Sequence, residues 1–209
     1  MERLARNLTT IIAAVTALAW LFAVLAGYQE QAALALGFIP LRLSGGAVPW
    51  PAVPACLTPL TATLVHGGLL HLVFNLVVFL WCGAQVERVL GKSGLLTLYL
   101  VGAYAAALAQ WATDPMNAVP MIGASGAISA VMGAFALSFG RAKQVTRSAR
   151  LNRWINALWL LAAWVVLQLM MGFIAGGQGY LLATPAHIGG FVAGLLLQRP
   201  LLLWRYRTA

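Results

Sequence analysis

The sequence predicts an all-α, polytopic membrane protein built as one bundle of helices. Three observations carry that prediction. Of the 209 residues, 62% are hydrophobic and 8% charged, a balance far from that of water-soluble domains. Charge-free apolar runs of about 20 residues, the length that crosses a bilayer, recur along the whole chain. Short segments between and flanking these runs hold the lysine and arginine.

Each element can be justified in order. A first span is expected over residues 10–28, with Trp20 and Tyr28 as interface anchors. Arg3 and Arg6 ahead of an apolar run resemble a secretory signal. The run outlasts a signal core, however, and no small-residue cleavage site ends it, so it reads as an uncleaved span. Residues 29–64 form a long outer loop containing Pro40, Pro49, Pro51, Pro54 and Pro59 of the nine prolines. Proline lacks a backbone donor and breaks helices, so no straight span is expected here. The apolar character of this loop fits either a position in the membrane interface, with Trp50 and Phe38 as anchors, or an ordinary loop outside the membrane.

A second span is expected over residues 68–86 and a third over 95–113, joined by a short basic turn, Glu87-Arg88-Val89-Leu90-Gly91-Lys92. Asp114-Pro115 ends the third. The fourth covers residues 125–140, followed by the most basic loop, with Arg141, Lys143, Arg147, Arg150 and Arg153. Residues 154–198 contain no Lys, Arg, Asp or Glu and are too long for one crossing. Gly176-Gly177-Gln178-Gly179 and Pro185 are the natural break, giving spans over 154–175 and 183–198. The chain is thus expected to be a single membrane domain over residues 1–209.

With six spans both termini face one side, and of the thirteen Lys and Arg residues only Arg42 falls on the other. The positive-inside bias then places both termini in the cytoplasm. The net charge of +9 is explained by this distribution, and no basic groove with interleaved aromatics points to nucleic acid. Cys56 falls in a loop and Cys82 in a span, so they are not expected to pair, and no metal-type cysteine spacing exists.

Polar residues in the even-numbered spans converge in depth. His71 and Asn75 lie in the outer part of span two, Ser125 at the outer start of span four, and His187 at the outer start of span six. These three spans run in the same direction, and ionisable groups inside a membrane usually mark a functional cavity. Small residues let the helices approach: Gly126, Ala130 and Ala134 share a face of span four, and Gly190 and Gly194 a face of span six. His71 and Asn75 also share a helix face, and both can donate hydrogen bonds to a developing oxyanion. Backbone N–H groups at the helix start near Ser125 would add to them. His66, nearer the loop, is balanced between this cluster and the interface.

No acidic residue is expected inside a span, which argues against a zinc site and against a Ser-His-Asp triad. A proton-coupled carrier would place its ionisable groups nearer the midplane. A serine–histidine dyad remains, in which histidine activates the hydroxyl.

These motifs resemble those of the rhomboid intramembrane serine proteases. His66-Gly67-Gly68-Leu69-Leu70-His71-Leu72-Val73-Phe74-Asn75 is similar to their second-span signature, Gly123-Ala124-Ser125-Gly126 to the nucleophile motif, and Ala186-His187-Ile188-Gly189-Gly190-Phe191 to the base motif. The Glu87-Arg88-x-x-Gly91 turn agrees as well. The resemblance implies a six-helix rhomboid-like bundle with a water-filled cavity open to the outer side. It implies Ser125 as nucleophile, His187 as general base, and an oxyanion site made by His71, Asn75 and the Ser125 N–H, with the Ala124 backbone as a further contributor. It implies span five as the substrate gate, although nothing in that span shows it.

Two departures stand out. Ser129 occupies the position where some members carry a tyrosine stacked on the base, so that support is either missing or replaced. Trp50-Pro51 stands where some first loops carry Trp-Arg. The expected function is an intramembrane serine endopeptidase cutting transmembrane segments near their outer end. No cofactor is implied, and the partners are the lipid bilayer and transmembrane substrates, without nucleic acid. A short chain of this kind suits a bacterial inner membrane. A non-catalytic client-binding relative would lack Ser125 or His187, and a small transporter would not depend on Ser125.

Overall fold

The computed structural model describes residues 7–139, 144–174 and 183–207. Among these the secondary structure is helical, and the one extended pairing is an isolated bridge between Phe38 and Met121. Helix α1 (Leu8–Leu25) leads into α2 (Gln29–Leu36) and the short α3 (Pro40–Leu43). A second group of short turns, including α4 (Thr58–Thr61), runs up to Leu64. The long helices α5 (Leu69–Thr113), α6 (Ser125–Phe139), α7 (Ala149–Ile174) and α8 (Thr184–Arg205) complete the chain. Helices α1, α5, α7 and α8 each have the length and apolar composition to cross a membrane, and α6 is a shorter apolar helix.

The segments expected at 68–86 and 95–113 are the two arms of α5, which reverses at Gly91. That residue has φ 76° and ψ 174°, a conformation that suits glycine because it has no Cβ to clash. The expected turn over residues 87–92 is therefore too wide. Glu87 is not in a loop: it lies on the helix, is buried, and accepts hydrogen bonds from the Leu8 and Thr9 N–H groups and the Thr9 hydroxyl at 2.6–2.9 Å. A carboxylate here caps the start of α1, satisfying N–H groups that have no partner within that helix.

Helix α6 is the centre of the bundle. Between residues 125 and 136 every position except Met132 is buried, with both arms of α5, α7 and α8 packed against the helix. Lipid supplies no hydrophobic force between helices, so association relies on close packing. A Cβ added at Gly190 would strike the Gly126 carbonyl oxygen, and one at Gly194 the Ala130 carbonyl oxygen. The small faces expected on spans four and six thus meet backbone to backbone.

The proline-rich segment is folded rather than extended. Phe38 is not an interface anchor: it is 1% exposed and pairs with Met121 through two backbone hydrogen bonds of 2.9 and 2.8 Å. Trp50 is half-buried, and its indole donates to the Leu34 carbonyl at 3.1 Å. The Phe38 pairing has a physical reason: residues 114–124 are non-helical, and irregular backbone in an apolar setting needs partners from the protein. The Gly123 N–H finds one in the Ala62 carbonyl at 2.9 Å. The break expected at residues 176–179, the span ends at 140 and 175, and Arg3, Arg6, Arg141 and Lys143 lie outside the described residues. Cys56 is exposed, Cys82 is buried, and both are free thiols.

Candidate active site

Ser125 is the first residue of α6, and His187 lies in the first turn of α8. The Gly190 contact with Gly126 brings these two helix starts together. Ser125 Oγ lies 2.9 Å from His187 Nε2, and the two residues are 7% and 4% exposed. That is hydrogen-bond distance for a hydroxyl and an imidazole nitrogen. His187 Nδ1, on the far side of the ring, is buried with no hydrogen-bond partner among the described residues.

The residue that sets the approach to Ser125 is Gly123, with φ +111°. A methyl group built on it would lie 2.8 Å from His71 Nε2 and 3.8 Å from Ser125 Oγ. The imidazole of His71 and the hydroxyl of Ser125 therefore flank one face of this glycine, and any side chain there would part them. His71 is half-buried in the first turn of α5. Asn75, one turn further along, is fully buried. Its Nδ2 donates to the His71 carbonyl at 2.9 Å and its Oδ1 has no partner among the described residues. An amide nitrogen carries two hydrogens, so this bond leaves one of them uncommitted.

His66 is not interfacial. It is 2% exposed, with its ring edge-on to His71 at a centroid distance of 4.9 Å. Burial, reinforced by the neighbouring His71, lowers its pKa to about 3. A neutral ring has a free acceptor nitrogen, and His66 Nε2 takes the Ala124 N–H at 3.4 Å. An oxyanion drawing on the Ala124 backbone would have to displace His66.

Two residues join the site that the sequence did not single out together. Ser129 Oγ donates to the Ser125 carbonyl at 2.7 Å and accepts from Trp164 Nε1 on α7, also at 2.7 Å. The Trp164 ring meets His187 edge-on at 6.3 Å. An aromatic ring from another helix thus lies beside His187, where Ser129 itself supplies none. No local signal marks Trp164, since α7 also carries Trp154 and Trp159, which are 43% and 70% exposed.

A small recess of ≈ 20 Å³, about enough for one water molecule, lies beside Ser125, lined by small and apolar residues that include Ala62, Gly123, Gly126 and Ala186.

Fold and site together define an all-helical polytopic membrane protein with a serine–histidine pair buried where two of its helices begin. The Rhomboid domain family matches residues 55–204, and the chain belongs to the rhomboid family. It is 30% identical to RHOMBOID-like protein 5 of Arabidopsis thaliana over 66% of this chain and 42% of that one. With Rhomboid protease GlpG of Yersinia pestis it shares 32% identity, over 64% of this chain and 44% of the relative. With Rhomboid protease GlpG of Pectobacterium atrosepticum it shares 30% identity, over 77% and 56%. The chain therefore spans roughly half the length of these relatives.

Proposed function

We propose that this protein is an intramembrane serine endopeptidase that cuts transmembrane segments near the outer face of the membrane with a Ser125–His187 dyad. The observation that carries the reading is the 2.9 Å contact between Ser125 Oγ and His187 Nε2 in a buried setting. In this scheme neutral His187 accepts the Ser125 proton as Oγ attacks the scissile carbonyl carbon. The resulting oxyanion draws on the Ser125 N–H, His71 and the uncommitted hydrogen of Asn75. His187 then gives its proton to the leaving amine. Water, activated by the same imidazole, releases the acyl group and restores the serine.

Family membership and the relatives' names as rhomboid proteases support this assignment. By its membership of the rhomboid family we read the substrate as an unwound segment carrying small side chains at the cut. We further read the chain as one domain crossing a bacterial inner membrane six times. Both termini face the cytoplasm because Lys and Arg gather on that side.

Labelling in detergent with a fluorophosphonate probe tests the dyad without a known substrate. Wild type should label, while Ser125→Ala and His187→Ala should not. A folded wild type that neither labels nor cuts a panel of model transmembrane substrates would sink the assignment.

A further inference from the structure

We propose that Ser129 and Trp164 are a positioning pair through which α7 holds the nucleophile and the base in register, an inference that rests on the Ser125–His187 reading above. The directions of their hydrogen bonds are fixed by chemistry. An indole N–H can only donate, so Ser129 Oγ is the acceptor at 2.7 Å. The single hydroxyl hydrogen of Ser129 is then committed to the Ser125 carbonyl, also at 2.7 Å. Serine often bonds the carbonyl one turn back in a helix, and that bond alone would signal nothing. The second bond, arriving from another helix and ending on the nucleophile's own backbone, sets this pair apart.

Both residues are sealed in, with Ser129 0% and Trp164 1% exposed. In such surroundings an unpaired indole N–H is unfavourable, so the ring keeps its place. Its other contacts locate it further: it stacks on Phe74, the neighbour of Asn75, at 5.6 Å and 16°, and stands edge-on to His187 at 6.3 Å and 70°.

The base needs this support. In a serine–histidine–aspartate triad a carboxylate on Nδ1 orients the imidazole, whereas His187 Nδ1 has no hydrogen-bond partner among the described residues. The ring is held by its Nε2 contact with Ser125 and by packing, and Trp164 supplies an aromatic edge for that packing. One residue of α7 therefore touches the base directly and reaches the nucleophile's backbone through Ser129. A shift of α7 would be felt at both.

The test separates rate from amount. For wild type, Ser129→Ala, Ser129→Thr, Trp164→Phe and the Ser129→Ala/Trp164→Phe double variant, the rate constant of fluorophosphonate labelling and the fraction of protein labelled are measured independently. Misplacing reacting groups by about an ångström slows a reaction by up to about a hundredfold. Ser129→Ala and Trp164→Phe should therefore lower the rate constant about ten- to hundredfold while the labelled fraction holds. Ser129→Thr, which keeps the hydroxyl, should restore most of the rate, and the double variant should be no slower than the slower single one, because one bond is broken from either end.

Unaltered rate constants with a reduced labelled fraction would mean packing alone and would overturn the proposal. So would a failure of both single variants to fold, which would make the bond a folding determinant. Should only one misfold, the other decides. A wild type that does not label is a failure of the dyad reading instead, whereas a labelling wild type with indifferent variants defeats only the positioning pair.

Discussion

At the scale of single residues, the site is built from neutral groups. Ser125, His187, His71, Asn75 and Ser129 carry no acidic partner between them, and Glu87 lies on the same arm of α5 roughly 24 Å along the helix from His71, at 1.5 Å per residue. On the proposed reading the dyad has one proton switch, His187, which can accept the serine proton only when neutral. The rate of fluorophosphonate labelling should therefore fall as the pH is lowered through the titration of His187 and level off above it. A rate independent of pH down to the limit of folding would contradict the dyad. Asn75 and Ala124 show how a residue type can be legible while its hydrogen bonds are not. The spacing of His71 and Asn75 placed both on one face, but only the folded chain turns the Asn75 amide toward the His71 carbonyl and the Ala124 N–H toward His66.

At the scale of elements, the decisive event is the meeting of α6 and α8. Ser125 and His187 come within hydrogen-bond reach because Gly190 and Gly194 let one backbone lie on the carbonyl groups of the other. Substituting Gly194 by leucine puts a side chain where the Ala130 carbonyl now sits. Overpacking of this kind destabilises by about 1–3 kcal/mol. It should also part the helix starts, so labelling should be lost together with a fall in the detergent melting temperature. Normal labelling by Gly194→Leu would show that the two helices are held by something other than this contact. Helix α7 relates to the site differently. It reaches the reacting pair through Trp164 and is otherwise largely exposed on its outer surface, with Leu158, Trp159 and Met170 all more than half exposed.

At the scale of the whole molecule, the ends of the long helices are tied far from the reacting pair. Glu87 binds the first residues of α1, while the Arg205 side chain donates to the Glu87 carbonyl at 3.3 Å and the Tyr206 hydroxyl to the Val89 carbonyl at 3.3 Å. The start of α1, the turn of α5 and the end of α8 thus form one knot. Replacing Glu87 by alanine leaves the Leu8 and Thr9 N–H groups without their acceptor, a loss of about 1–3 kcal/mol for buried donors. The melting temperature should drop while the labelling rate constant of the folded fraction stays at the wild-type value. A slowed rate constant would mean that the knot and the site are coupled across the bundle.

The sequence by itself determined the class and the order of the helices, and it singled out the residues of the proposed dyad. Membrane crossing requires long apolar runs, and polar residues inside such runs are rare enough to stand out as Ser125, His71, Asn75 and His187 do. Small residues at helical spacing also announced which faces would meet. Only the tertiary structure decided the contacts between segments far apart in the chain. It buried Phe38 against Met121, drew His66 beneath Ala124, moved Glu87 from an expected loop onto a helix, and brought Trp164 to Ser129. The physical reason is the same in each case. Pattern and composition report which surroundings a side chain tolerates, whereas its partner is set by how helices remote in sequence pack. An indole facing lipid and an indole bonded to a buried serine look alike until that packing is known.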